Sequence, residues 1–226
     1  MIKEIDRPPT IKETVANALR DAIWNRDLKP GKALREAELC QSLKVARGTL
    51  REAFRVLQEE RLVEAHPHRG VFVTELSVQK VSEVYSLRML LEPYAVDLAI
   101  GRGAYGEGEL AEIEALLRRM GEFERRGDSL ELVKSDVVFH QLICKPSGHL
   151  LLLDVLRSLQ SLTTLCVTNL NVLDPDKALQ EQLHGEILQA IRAGDSAHAQ
   201  DIIKKHLRDA RDPLLAAMMA DTTEAR

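Results

Sequence analysis

Three histidines and one aspartate in the C-terminal half are spaced so that they could bind a metal ion. Asp136 and His140 lie four residues apart, which places them on one face of a predicted helix. His184 lies ten residues before a Gly194-Asp195 break and His206 lies twelve after Gly194, so in an antiparallel helix hairpin both imidazoles reach nearly the same level. Three imidazoles and one carboxylate suit Zn²⁺, Ni²⁺, Mn²⁺ or Fe²⁺, and an expanded coordination sphere leaves room for water or a ligand's oxygens. Alternatively, the four side chains form a hydrogen-bonded core cluster without an ion.

A second group of residues could read DNA. Arg47, Arg51 and Arg55 recur every four residues, so they form one stripe along a predicted helix. The apolar face of that helix consists of Leu50, Ala53, Phe54 and Leu57. A helix fits the major groove, where arginine can donate two hydrogen bonds to guanine or bind a phosphate. The alternative is that the arginines only solvate the helix and pair with nearby glutamates.

The elements around the arginine stripe predict a winged helix-turn-helix. Thr10 and Glu13 form a capping-box pattern that starts a first helix. A short second helix spans about residues 35–43, and the third spans about 47–60. Two β-rich runs, at 62–65 and 71–74, flank a polar tip and predict a hairpin that serves as the wing. The N-terminal domain is therefore expected at residues 1–76.

Residues 77–226 have a helical pattern with about six helices. Breaks are expected at 101–108, 127–128, 146–148, 174–175 and 194–195, where glycine, proline and aspartate interrupt the apolar periodicity. The predicted fold class is therefore mainly α, with a winged helix-turn-helix followed by a helical domain.

Composition supports a soluble protein of two domains. The 226 residues carry a formal net charge of -4, but residues 1–76 are net +2 and residues 77–226 are net -6. The three cysteines are too few and too scattered for a disulfide framework, which fits the reducing cytoplasm. The N-terminus lacks the apolar core of a signal peptide, and charges at Asp154 and Arg157 interrupt the most apolar stretch. We expect a cytoplasmic protein that is not inserted in a membrane.

The N-terminal motifs resemble the DNA-binding domain of GntR-type transcription regulators over residues 10–74. They are LREAEL at 34–39, VARGTLREA at 45–53, LVE at 62–64 and RGVFV at 69–73. The resemblance implies DNA contacts from Arg35, Arg47, Thr49, Arg51, Arg69 and Gly70, to which the stripe adds Arg55. The sequence departs from the family pattern at Ala46, where Ser or Thr usually caps the helix and binds phosphate, and at Gly48, where Thr is common.

The C-terminal motifs resemble the FCD ligand-binding domain of the FadR subfamily of these regulators, over residues 78–215. They are RxxLE at 88–92, DxxFH at 136–140, HxxI at 184–187, AGD at 193–195 and the final His206. The resemblance implies an antiparallel all-helical bundle. In metal-binding members, the positions of Asp136, His140, His184 and His206 are the ligands, and a small carboxylate often completes the sphere. Of the four candidate metals, we expect Zn²⁺ first.

Two further residues are candidates for binding the effector. Arg88 could pair bidentately with the carboxylate of the effector, or could instead form an ion pair with Glu92. Asn169 could point its amide into the cavity, or be a buried amide with satisfied hydrogen bonds. Cys144 follows His140 by four residues, but the family has no such ligand, so we interpret it as a packing residue.

These patterns predict a metabolite-responsive repressor and not an enzyme. A homodimer would present two reading helices to a palindromic DNA operator. A small organic acid bound through the metal would change how the two DNA-binding domains are arranged. In a second hypothesis the metal itself is the signal. A third, a metallohydrolase, lacks a carboxylate placed as general base and leaves the basic helix unexplained.

Overall fold

The computed structural model describes residues 10–170 and 180–224. The chain divides into two units, one ending at Glu75 and the other beginning at Leu76. The expected break at 174–175 lies outside the described residues.

The N-terminal unit contains three helices and a small sheet. The helices are α1 (Ile11–Trp24), α2 (Glu36–Leu43) and α3 (Arg47–Glu59). The predicted capping box starts α1: the Thr10 amide donates to the Glu13 carboxylate over 2.7 Å, and the Thr10 hydroxyl accepts from the Glu13 amide. The core of the unit lies where α1 packs on α3, and its buried side chains include Leu19, Ile23, Leu50, Phe54 and Leu57.

The wing is a three-stranded antiparallel sheet rather than a simple hairpin. Strands β2 (Val63–His66) and β3 (Gly70–Val73) form the predicted hairpin. A two-residue strand, β1 (Ala33–Leu34), pairs with the other edge of β3, so the strand order is β1-β3-β2. The added strand joins the start of α2 to the wing.

Helix α3 begins without a side-chain cap. Lys44 ends α2 in the left-handed conformation, and Ala46 occupies the N-cap position of α3, where its methyl group accepts no hydrogen bond. A Ser hydroxyl at this position would accept from an exposed amide of the first turn.

We therefore expect Ala46→Ser to raise the free energy of unfolding of the N-terminal unit by about 1 kcal/mol. Urea unfolding followed by the fluorescence of Trp24, the single tryptophan, measures this. Ala37→Ser places the same hydroxyl at an exposed position inside α2 and should give no gain. Equal stability of the wild type and Ala46→Ser would show that the first amides of α3 are already satisfied.

Six helices and one short 3₁₀ turn form the described part of the C-terminal unit. The helices are α4 (Val78–Gly101), α5 (Glu107–Arg126), α6 (Ser129–Cys144), α7 (Leu150–Leu170), α8 (Gln180–Arg192) and α9 (Ser196–Glu224), and the 3₁₀ turn is Lys145–Ser147. Helix α4 packs against α6, α7 and α9, and α5 packs against α6 and α8. Thus α4 lies at the centre of the bundle, and its buried face carries Arg88 and Glu92.

Helix α7 is the one described helix that is long and apolar enough to cross a membrane. The matching segment is Leu150–Asn169, with a mean hydropathy of 1.5, and half of it is buried inside the unit. Its charged residues Asp154 and Arg157 are exposed and pair over 2.7 Å. A core helix passes the same test of length and composition, so this match is weak evidence for a membrane.

Candidate metal centre and nucleic-acid interface

The four predicted metal ligands meet at one point in the C-terminal bundle. Helix α6 supplies Asp136 and His140, α8 supplies His184, and α9 supplies His206. One donor atom from each lies within 4.8 Å of the other three. Asp136 Oδ1 lies 3.1 Å from His184 Nε2 and 3.9 Å from Nε2 of both other histidines, while the His140 and His206 Nε2 atoms are 3.2 Å apart. The helix hairpin around Gly194 brings His184 and His206 together as the spacing predicts.

These distances and this burial fit a divalent metal ion. Zn–N bonds of about 2.1 Å in a tetrahedral site separate neighbouring ligand atoms by about 3.4 Å, which lies within the observed range. The three histidines are buried and Asp136 is partly exposed. Among the described residues, neither ring nitrogen of His184 has a well-directed hydrogen-bond partner. A buried imidazole left in this state is costly, and a cation at the meeting point would satisfy its Nε2 atom.

A buried carboxylate on α4 contacts one of the four candidate metal ligands. Glu92 Oε2 lies 2.6 Å from His140 Nδ1, on the side of the ring opposite the cluster. The other oxygen, Glu92 Oε1, accepts a hydrogen bond of 2.6 Å from Arg88 Nε. Burial raises the pKa of Glu92, but Arg88 and His140 outweigh this effect, so the pKa lies below its usual value and Glu92 is charged. Arg88, Glu92 and His140 therefore form a continuous polar chain into the cluster.

The charge states within the cluster favour cation binding. Burial opposes ionisation of Asp136, but the contact with His184 outweighs it and lowers the pKa of this carboxyl below its usual range. Burial, together with His184 and His140, lowers the pKa of His206. At neutral pH Asp136 is therefore an anion and His206 is uncharged, which are the states that can donate lone pairs to a metal.

The lowered pKa of His206 makes the metal-free protein sensitive to acid. Below an ordinary histidine pKa of about 6.5 the unfolded chain takes up a proton at His206, whereas the folded chain does not. Stability should therefore fall as the pH drops from 7.5 to 5.5, by up to about 1.4 kcal/mol per pH unit from this residue. Urea unfolding of chelator-treated protein, monitored by circular dichroism, tests this. In His206→Gln the dependence should be weaker by that amount, and an unchanged slope would contradict the assignment to His206.

A small cavity adjoins the cluster and contains the predicted effector residue Arg88. It is lined by Arg88, Glu92 and His140 together with residues of α6 and α7, and it has room for about one water molecule. Arg88 is thus a cavity residue and the ion-pair partner of Glu92. Asn169 is half-buried outside the cavity lining, and its amide donates to the Leu165 carbonyl. Cys144 is fully buried and lies outside the cluster.

The arginine stripe on α3 is exposed, and two of its members pair with acids. Arg51 forms a two-pronged contact with Glu36 of α2, with distances of 2.9 and 3.0 Å, and Arg55 pairs with Glu52 at 2.6 Å. Arg47 is exposed at the start of the helix. Exposed ion pairs of this kind are worth little free energy, so DNA phosphates or bases can replace the carboxylates. The stripe remains available to DNA.

The other predicted DNA-contacting residues lie on α3, at the start of α2 and on the wing. Arg35 precedes α2 and pairs with Glu38 at 3.1 Å, and Thr49 lies half-buried in the first turn of α3. At the wing tip Arg69 packs over the ring of Phe72, and Gly70 has a φ of +98°, a conformation that other residues rarely adopt. All of these positions belong to the N-terminal unit.

Sequence reasoning assigned no role in the site to Glu92 or Glu36. The four-residue spacing of Arg88 and Glu92 predicts an ion pair within one helix, but the contact with His140 joins α4 to α6. The Arg51–Glu36 contact likewise joins two helices. Neither contact leaves a signal in local spacing.

Comparisons with known proteins assign a family to both units. Residues 11–73 match the model of bacterial regulatory proteins of the gntR family, and residues 83–209 match the FCD domain. The chain is 30% identical over 164 residues to the HTH-type transcriptional regulator YdhC of Bacillus subtilis, covering 72% of each chain. It is 25% identical over 215 residues to the HTH-type transcriptional repressor RspR of Escherichia coli, covering 92% of each chain.

A solved structure shares the fold. The crystal structure of a transcriptional regulator GntR from Rhodococcus sp. RHA1 is 29% identical and superposes with a TM-score of 0.78, covering 91% of this chain and 98% of that one. These relatives are regulators and not enzymes, which removes the metallohydrolase hypothesis. The helix-turn-helix unit with its basic α3, followed by the FCD unit, shows that this chain belongs to the gntR family of bacterial transcription regulators, whose members bind DNA operators.

Proposed function

We propose that the protein is a metabolite-responsive repressor that holds a divalent metal ion in its FCD domain and binds a small organic acid through that ion. The convergence of the donor atoms of Asp136, His140, His184 and His206 within 4.8 Å carries this proposal. Operator DNA lies in the cytoplasm, where we also place the protein.

The four side chains would hold the ion from three helices. When bound, a divalent metal supplies positive charge and free coordination positions that attract carboxylate oxygens. Arg88 adds a second positive charge at the cavity beside His140, and a guanidinium suits a carboxylate. Because Glu92 already neutralises part of that charge, an incoming carboxylate would share Arg88 with it.

The N-terminal unit would bind the operator as one half of a homodimer. A two-fold dimer places two reading helices in successive major grooves, so its operator is palindromic. The net charge of +2 on residues 1–76 favours DNA phosphates, and the net charge of -6 on residues 77–226 keeps the sensor domain off the duplex. The effector changes DNA binding only if it binds one arrangement of the dimer's two N-terminal domains more tightly than another. The name of the relative RspR supports repression as the outcome.

Titrating operator binding with small carboxylates tests this function. A duplex selected from a random-sequence library serves as operator, and fluorescence anisotropy reports binding. Zinc-loaded protein should release this duplex when one member of a panel of small mono-, di- and hydroxy-carboxylates is added. His140→Ala should bind the duplex without responding to the acid. If no acid in the panel changes affinity in the zinc-loaded wild type, the metabolite hypothesis fails.

A second candidate function is metal sensing, and the size of the cavity favours it. Room for about one water molecule is little for an organic acid unless α7 moves away from α4 and α6. In this case zinc alone would change operator affinity at a fixed acid concentration. Titrating zinc without acid, and acid at saturating zinc, separates the two functions.

A further inference from the structure

We infer that Glu92 is a positioning residue for the metal site, fixing the proton and the ring orientation of His140 so that its Nε2 lone pair faces the other ligands. This role rests on the proposed metal binding. It also makes a prediction for the metal-free protein, because the position of the proton can be observed without a metal.

The contact between Glu92 and His140 is short and fully buried. Glu92 Oε2 lies 2.6 Å from His140 Nδ1, and both side chains are 3% exposed. Among the described residues, neither of these two atoms has a well-directed hydrogen-bond partner. Since a buried carboxylate oxygen and a buried ring nitrogen both need a partner, each is the partner available to the other.

The position of this contact decides which nitrogen of His140 can bind a metal. A neutral imidazole carries one proton, and a carboxylate accepts protons but donates none when ionised. The proton of His140 therefore lies on Nδ1, facing Glu92, and Nε2 keeps its lone pair. In the metal-free protein the Nε2 atom of His206, 3.2 Å away, can donate to that lone pair.

Arg88 binds the carboxylate oxygen of Glu92 that does not face His140. Its Nε atom donates a 2.6 Å hydrogen bond to the second carboxylate oxygen, Glu92 Oε1, so a positive charge lies directly against Glu92. Metal-binding histidines commonly donate their second ring nitrogen to such a carboxylate, which orients the ring and raises its basicity. The three residues span α4 and α6, so Glu92 ties the ligand helix to the central helix of the bundle.

The Glu92→Gln variant tests the inference while preserving the shape of the side chain. Its amide can donate to His140 Nδ1, which favours the proton on Nε2 and blocks the lone pair. Nitrogen-15 spectra of the histidine rings in metal-free protein should show His140 protonated on Nδ1 in the wild type and a shift toward Nε2 protonation in Glu92→Gln. Zinc affinity, measured by competition with a chromophoric chelator, should fall by about 10–100-fold.

Glu83→Gln makes the same change on the exposed side of α4 and should alter neither readout. If Glu92→Gln fails to fold because Arg88 loses its counter-charge, the double variant Arg88→Met/Glu92→Gln removes that unpaired charge and takes its place. A wild-type His140 protonated on Nε2, or unchanged spectra and zinc affinity in the variant, would overturn the role of Glu92 alone. A wild type that binds no zinc would overturn the proposed metal site and this inference together.

Discussion

Replacing His206 by alanine should remove most of the stabilisation that zinc gives this protein. An ion bound only by the folded state raises the free energy of unfolding by about 4 kcal/mol when its free concentration is a thousand times the dissociation constant. His206 supplies one of the four donors, so its loss weakens the site and removes most of that effect. Thermal unfolding of each protein with zinc and with a chelator measures the difference.

Each protein is compared with itself, so the packing lost with the imidazole does not enter the comparison. His198→Ala removes an exposed imidazole from the same helix and should keep the full zinc response. If His206→Ala gains as much from zinc as the wild type does, the ion binds elsewhere. If the wild type itself shows no response, the four residues form a polar core cluster instead.

Replacing Arg51 by alanine should cost specific operator binding about 1–3 kcal/mol, or about 10–100-fold in affinity. The substitution removes a cation from the groove-reading stripe and also leaves Glu36, its partner in the free chain, without a counter-charge. A carboxylate uncovered beside DNA phosphates repels them, which adds to the loss. Anisotropy against the selected duplex and against a scrambled duplex measures specific and non-specific affinity.

Removing the acid of the Arg51–Glu36 pair should have the opposite effect on operator affinity. Glu36→Gln frees Arg51 from its ion pair and should leave operator affinity unchanged or raise it. Arg118→Ala removes an exposed arginine from the C-terminal unit and should leave the affinity for both duplexes unchanged. Unchanged operator affinity in Arg51→Ala would remove the arginine stripe from the DNA interface.

Local sequence patterns account for most of the fold. The capping box at Thr10, the apolar face of α3 and the Pro/Gly tip between β2 and β3 each act within a few residues, and the structure confirms the elements they predict. The cluster of three histidines and Asp136 can also be predicted from the sequence, because helical spacing places the two residues of each pair on one face or at one level. Asp136 and His140 share one helix, while the Gly194 turn sets His184 opposite His206.

Contacts between separate elements are the part that local patterns do not reveal. Strand β1 has only two residues, and it exists because it pairs with β3 about forty positions later. Helix α4 continues through Pro93, which local rules treat as a helix breaker, because packing against three other helices stabilises it. Glu92 contacts His140 only after the bundle has formed. In each case the stabilising partner is distant in the chain.

The most direct test of the central claim is anomalous X-ray scattering from crystals of the protein grown with zinc, recorded on both sides of the zinc absorption edge. We predict one strong peak about 2.0–2.2 Å from Nε2 of His140, His184 and His206 and from a carboxylate oxygen of Asp136. A map without a peak at these four residues, with their side chains hydrogen-bonded to one another, would contradict the claim that they form a metal site.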